Sequence, residues 1–173
     1  MKFLSAILTT LFVSLVVSGT SAQEARIAND VYAGGATVVL DGEAADDVFA
    51  AGESVTVRQT VGRNLYAGGR HVDVSGPIVG DAFGAGFTLT FAGSTAGRVY
   101  AVGYDVKLLP SSKIGEGARL FGRTIAIDGD ISGHVLLAGE AIALAGRIEG
   151  DVYVEADSLT VSPDASISGD LHY

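Results

Sequence analysis

A phrase of 17 residues is written eight times along this chain, and that period constrains the fold more than any other feature. Aligned on the residue that opens each phrase, Val31, Val48, Leu65, Ala82, Val99, Ala118, Val135, Val152 and Leu171 follow at steps of 17, 17, 17, 17, 19, 17, 17 and 19. Glycine recurs four residues further on, as Gly35, Gly52, Gly69, Gly86, Gly103, Gly122 and Gly139, with Ala156 in the eighth place. Aliphatic or aromatic columns stand at seven residues (Val38, Val55, Val72, Leu89, Val106, Ile125, Ile142, Leu159) and at nine (Leu40, Val57, Val74, Phe91, Leu108, Ile127, Leu144, Val161). A further column lies four before each opening residue: Ile27, Ala44, Val61, Ile78, Thr95, Ile114, Ile131, Ile148 and Ile167.

Within each phrase apolar residues alternate with other types, the period of a strand, and no segment has the 3.6-residue spacing of an amphipathic helix. A hairpin meander would reverse residue order between neighbours, whereas here every unit repeats in one direction. Identical coils stacked in parallel satisfy that, so the chain is expected to be all-β, a parallel β-helix (β-solenoid) of about eight turns with three short strands each. At ~4.8 Å between paired strands, eight turns make a rod of roughly 38 Å. Both 19-residue turns place their extra residues at one corner, "LPSSKI" around Pro110 and "SPDASI" around Pro163, and Pro77 falls near the same corner. Proline gives no N–H to a ladder and belongs at such a bend. A single turn orders too many residues for the few it buries, so turns are stable only as neighbours.

The recurring "IEGDVYV", "ISGDLHY", "VGRNLYAGG" and "PIVGDAF", each followed by a spaced aliphatic pair as in "SVTVR" or "SLTVS", resemble the bactofilins, polymer-forming bacterial cytoskeletal proteins. The resemblance spans residues 27–173. It implies a right-handed β-helix whose ends stack into filaments, without nucleotide or metal cofactor. Bactofilins are typically cytoplasmic with tails around the core, whereas this sequence opens on an export signal.

That signal is "MKFLSAILTTLFVSLVVSGTSA": Lys2, an apolar run, then small residues. It reads as a secretory signal peptide, residues 1–22, with cleavage expected between Ala22 and Gln23 and a single β-solenoid domain over 23–173. Phe3 to Val17 is 15 residues, short of the ~20 that a spanning helix needs. Setting aside 22 of the 173 residues leaves 151 and moves the formal net charge from -9 to -10. Such an acidic chain disfavours nucleic acid and anionic lipid, which are bound by Lys and Arg. With no cysteine there is neither a disulfide framework nor a lipid-modified cysteine. The expected location is the periplasm or the extracellular space.

Next to the opening residues runs an aromatic column, Tyr32, Phe49, Tyr66, Phe83 and Tyr100, continued by Arg119, Leu136, Tyr153 and His172. Turned inward it would bury Arg119 unpaired, so it is expected to face outward, beside the small residues Gly34, Ala51, Gly68 and Ala85. An exposed ladder of rings stiffens the rod by stacking or offers a face to another chain, a cell-envelope polymer or a glycan. The preceding column, Asp30, Asp47, Asn64, Asp81, Arg98, Gly117, His134, Asp151 and Asp170, reads as a solvated corner, with calcium as the less favoured reading. Glu53 with Arg70, and Arg123 with Glu140, occupy matching places in adjacent turns and are expected to pair. The histidines, His71, His134 and His172, fall in three different columns and make no stacked zinc site. No serine has a His and an acid in a recognisable arrangement. The Ser54/Thr56 and Thr88/Thr90 doublets are interrupted by His71/Asp73 and form no flat threonine array. The sequence therefore points to a non-enzymatic, self-associating envelope scaffold, with Ile27, Ile167 and Leu171 at uncovered ends as its contact residues. The alternative is a binding module that uses the aromatic ladder for glycan or protein.

Overall fold

A computed structural model describes residues 22–173; the signal peptide expected over residues 1–22 therefore lies, Ala22 apart, outside the described residues. Fifteen strands follow in chain order: β1 (Gln23–Ile27), β2 (Asp30–Leu40), β3 (Val48–Val57), β4 (Leu65–Val74), β5 (Ala82–Phe91), β6 (Ser94–Thr95), β7 (Arg98–Leu108), β8 (Lys113–Ile114), β9 (Gly117–Ile127), β10 (Asp130–Ile131), β11 (His134–Leu144), β12 (Arg147–Ile148), β13 (Val152–Val161), β14 (Ser166–Ile167) and β15 (Leu171–His172). The ten-stranded sheet runs β1-β2-β3-β4-β5-β7-β9-β11-β13-β15, and the short strands form a second sheet, β14-β12-β10-β8-β6. All pairs except β1 with β2 are parallel, and the register is the one the period dictates: Val31 faces Val48, Val48 faces Leu65, and Leu65 faces Ala82. The chain is a β-solenoid of about eight turns.

Each turn has one long strand and, from the fourth turn on, one very short one, with only single-residue bridges at Ala45, Val61 and Ile78 before that, rather than three strands of similar length. The long strand bends at the glycine column. In β2 the buried residues are Val31 and Ala33, then Val38 and Leu40, so the inward parity changes across Gly34 and Gly35. The bend brings adjacent backbones very close: a Cβ built on Gly86 would lie 2.1 Å from the Gly69 carbonyl oxygen, and one on Gly139 2.2 Å from that of Gly122. Only a hydrogen fits there.

Five inward columns fill the interior. Four coincide with apolar columns of the sequence. The fifth, two residues after the opening position, is small in the early turns (Ala33, Ala50, Ala67, Gly84, Ala101) and large later (Leu120, Leu137). Its bulk is complemented from other columns: a Cβ on Gly84 would sit 3.2 Å from the Phe91 ring, so the glycine makes room for that phenyl. Close packing demands this exchange of volume between columns.

Three expectations are corrected here. In the column four before the opening residue, Ala44 is exposed and its neighbour Ala45 is buried, bridging to Val61, because the first long corner slips by one residue. Ile27 is not in that column at all: it is 58 % exposed and lies in β1, which folds back antiparallel on β2 with Ile27 opposite Asp30. The first edge of the stack is thus occupied by β1 along Asp30–Gly34 rather than left open. The tight connection puts Ala28 at φ 56, in the left-handed region that hairpin turns require.

Candidate functional site: an outward aromatic ladder beside a small-residue trough

The aromatic column stands outside, as the charge on Arg119 demands. Because β2 to β5 and β7 pair without a slip, Tyr32, Phe49, Tyr66, Phe83 and Tyr100 stack at centroid separations of 4.8 to 5.0 Å, with planes within 3 to 4° of parallel. The spacing is that of the β-ladder itself. Arg119 closes the row with its guanidinium 5.6 Å from the Tyr100 centroid, a cation–π contact. Further along, Tyr153 and His172 stack at 4.6 Å. A second, shorter stack lies past the glycine bend: Phe87 on Tyr104 at 4.6 Å, with Arg123 over Tyr104 at 5.3 Å.

Beside the long row, two residues further along each strand, Gly34, Ala51, Gly68 and Ala85 form the floor of a trough. Its volume is about 1090 Å³, with the ring edges as one wall and Val102 and Phe121 at the far end. Gln23, Glu24 and Ala25 of β1 line the near end. The lining is overwhelmingly apolar. Since the rings lie against one another, their faces are largely covered and mainly their edges are left to line this space. That arrangement offers little for sugar stacking, which needs free faces, and much for packing against a shaped apolar surface. A smaller depression of about 500 Å³ along the short-strand sheet is of mixed charge, with Lys113, Asp130, Arg147 and Glu149 among its lining.

The acidic column does more than face solvent. Each side chain accepts the main-chain N–H of the equivalent residue one turn on: Asp30 from Asp47 (3.1 Å), Asp47 from Asn64 (2.9 Å), Asn64 from Asp81 (3.0 Å) and Asp81 from Arg98 (2.8 Å). The series resumes with His134 Nδ1 accepting from Asp151 (3.0 Å) and Asp151 from Asp170 (3.0 Å). It is interrupted at Arg98, whose guanidinium cannot accept, and at Gly117, which has no side chain; Gly117 has φ +121, and a Cβ there would lie 2.3 Å from the His134 carbonyl oxygen. These donors sit at the corner where the sheet ladder lapses, so the column completes the backbone pairing. Among the described residues no three His, Asp or Glu side chains converge on a point where an ion could sit. Asp47 is the busiest link, accepting also from Asn64 Nδ2 at 3.2 Å and lying 3.6 Å from Arg63. Asp47→Ala is expected to cost ~1 to 3 kcal/mol, since it orphans a half-buried N–H, and Asp47→Asn less. Urea unfolding followed by circular dichroism checks both; equal losses would mean the charge, not the acceptor, matters.

Of the two anticipated ion pairs, Arg123 with Glu140 forms at 2.7 Å, and Arg123 also donates to the Tyr104 hydroxyl. Hydrogen bonding to Glu140, then to Tyr104, holds the Arg123 guanidinium above its ordinary range. Glu53 and Arg70 align but make no ion pair among the described residues; at the corner column, Arg98 reaches Glu116 at 3.3 Å. At the other end of the rod Ile167 is half-buried and Leu171 is 42 % exposed, so both are accessible, while Ile27 is separated from them by the length of the stack. Sequence reading found the ring row but not the trough's far wall; the column Gly34, Ala51, Gly68, Ala85, Val102, Phe121 carries that signal.

The chain matches no protein-family model. No curated protein and no solved structure matches it either.

Proposed function

We propose that this chain is a structural protein of the cell envelope: an exported, non-enzymatic rod that associates with further copies of itself. The observation that carries the reading is the edge of β13, most of which has no strand partner among the described residues. Only Val152 and Tyr153 of that strand have partners in β15, so the N–H and C=O groups from Val154 to Val161 on that side have none in the ladder among the described residues. Leu159 and Ile167 are only partly covered there, and Val161 and Leu171 are exposed. An unpaired edge with an apolar cross-section is a template for another chain. The corner carboxylates of Asp30, Asp47, Asp81 and Asp151 support the non-enzymatic reading, because each has one oxygen committed to a backbone N–H of the next turn. The bactofilin-like phrases point the same way, toward a self-assembling β-helix.

The occupied first edge shapes the assembly. β1 already covers Asp30–Gly34 of the first edge, whereas β15 covers only Val152 and Tyr153 of β13, so end-on contact joins the more open β13 edges of two copies, an isologous contact that closes at two. Sedimentation of the purified protein over a concentration series tests this. Ile167→Lys with Leu171→Lys is expected to abolish end-on pairing and leave the β-sheet spectrum intact, since neither residue is fully buried. A strict monomer at every concentration, with no elongated particles in electron micrographs, would refute the proposal.

A further inference from the structure

One side of the rod is almost free of charge. The aromatic column and the trough column offer sixteen outward positions over eight turns, and only Arg119 and Glu155 among them are charged. The chain as a whole carries 20 acidic and 11 basic residues. Exposed apolar residues continue down this side, from Val102 and Phe121 at the far end of the trough to Leu136 and Tyr153 beyond it. A contiguous apolar strip on a highly charged molecule marks a contact surface.

From the ridge of rings and the trough beside it we infer that the occupant is a second copy of the chain, docked side by side and parallel, about a two-fold axis along the rod. This deepens the self-association reading and gives it a face. The argument is one of shape. A two-fold axis along the rod exchanges the two columns, so the ring ridge of each copy enters the small-residue trough of the other. An axis across the rod would set ridge against ridge and trough against trough. In the parallel arrangement every turn meets its own equivalent, so the two 4.8 to 5.0 Å repeats match along their whole length.

The two charges fit the same arrangement. Arg119 meets Phe121 of the second copy, whose exposed ring accepts a guanidinium, and Glu155 meets the hydroxyl of Tyr153 of that copy, which can donate to it. Neither charge is left unpaired. A strip roughly 38 Å long and ~13 Å wide, four residues of strand, presents on the order of 500 Å² per copy. The ~1,000 Å² total is at the lower limit for a specific pair, so the association should depend on concentration within an accessible range.

The absence of cysteine makes the test direct. Single-cysteine variants Thr37→Cys and Ala141→Cys, spin-labelled, place probes in one column six turns apart and outside the contact. In a parallel pair either variant alone gives a shorter inter-copy distance than a mixture of the two gives between unlike sites; the reverse order means an antiparallel pair and overturns the inference. Ala51→Lys with Gly68→Lys puts charge into the trough. Ala51 is exposed, and a Cβ on Gly68 would be 3.9 Å from the Ala85 carbonyl oxygen, an ordinary contact, so the fold should keep its melting temperature while side-by-side pairing weakens at least tenfold. The Ile167→Lys/Leu171→Lys protein should retain the side-by-side pair, which separates failure of this inference from failure of end-on association. Pairing that survives the trough lysines overturns it, as does a monomer whose tyrosine fluorescence responds to added cellohexaose, which would assign the trough to a glycan.

Discussion

Val106→Asp and Ile142→Asp are each expected to unfold the protein or to cost it most of its stability. Val106 has no exposed surface and Ile142 2 %, and both sit in the column seven residues after the opening position, flanked above and below by the same column: Leu89 and Ile125 for the first, Ile125 and Leu159 for the second. A carboxylate there has no partner and no water. Leaving a polar group buried and unpaired costs several kcal/mol, comparable with the whole stability of an ordinary domain. In a stack the damage does not stay in one turn, since each turn is the only cover its neighbours have. Thermal unfolding followed at the β-sheet band checks the expectation, with Val39→Asp, one residue past buried Val38 and 43 % exposed, as the control that should melt like the parent.

Gly86→Ala carries the second large effect, from a single methyl group. Its Cβ would lie 2.1 Å from the Gly69 carbonyl oxygen, and in an interior turn the strand is held by ladders on both sides, so it cannot retreat. The ladder has to open, and a loss of ~3 kcal/mol or more is expected. Ala156 takes the equivalent place only in the eighth turn, where β15 pairs with just two residues of the strand. Gly68→Ala is the matched comparison: with its Cβ 3.9 Å from the Ala85 carbonyl oxygen it should be neutral or stabilise slightly, by up to ~1 kcal/mol through the unfolded chain. Equal losses for the two variants in urea titrations would show that backbone flexibility, not the close approach, selects glycine at the bend.

The repeat made most of the fold legible because a column seen eight times averages out the ambiguity of any one residue. Where the column is uniform and large, as from Val38 to Ile142, sequence and structure agree. Ala33, Ala50 and Ala67 escaped because alanine reads equally well as core or surface, and only the later Leu120 and Leu137 disclose the column. Ala44 was mistaken for Ala45 because two alanines adjoin at a corner and the pattern cannot choose between them. β1 was invisible for a different reason: "QEARI" belongs to no phrase, and an antiparallel return strand leaves no trace in a direct repeat. The ring ladder could be placed from the charge of Arg119 alone. The trough could not, since it depends on how far side chains of a neighbouring column stand above the sheet.

The constant offset between hydrogen-bonded neighbours also bears on how such a molecule is reached from the unfolded chain. Parallel sheets are ordinarily slow to form because their strands are far apart in sequence, and each pairing must close a long loop before it is rewarded. Here strand partners are 17 or 19 residues apart except across the β1 turn, and the one irregular bridge, Ala45 to Val61, spans 16. Relative to 152 described residues that separation is roughly 0.11, within the range of helical bundles rather than of sandwiches and barrels. The solenoid is therefore extended in its hydrogen bonding but local in its wiring: each coil closes against the one just made, at nearly the same entropic cost as the last.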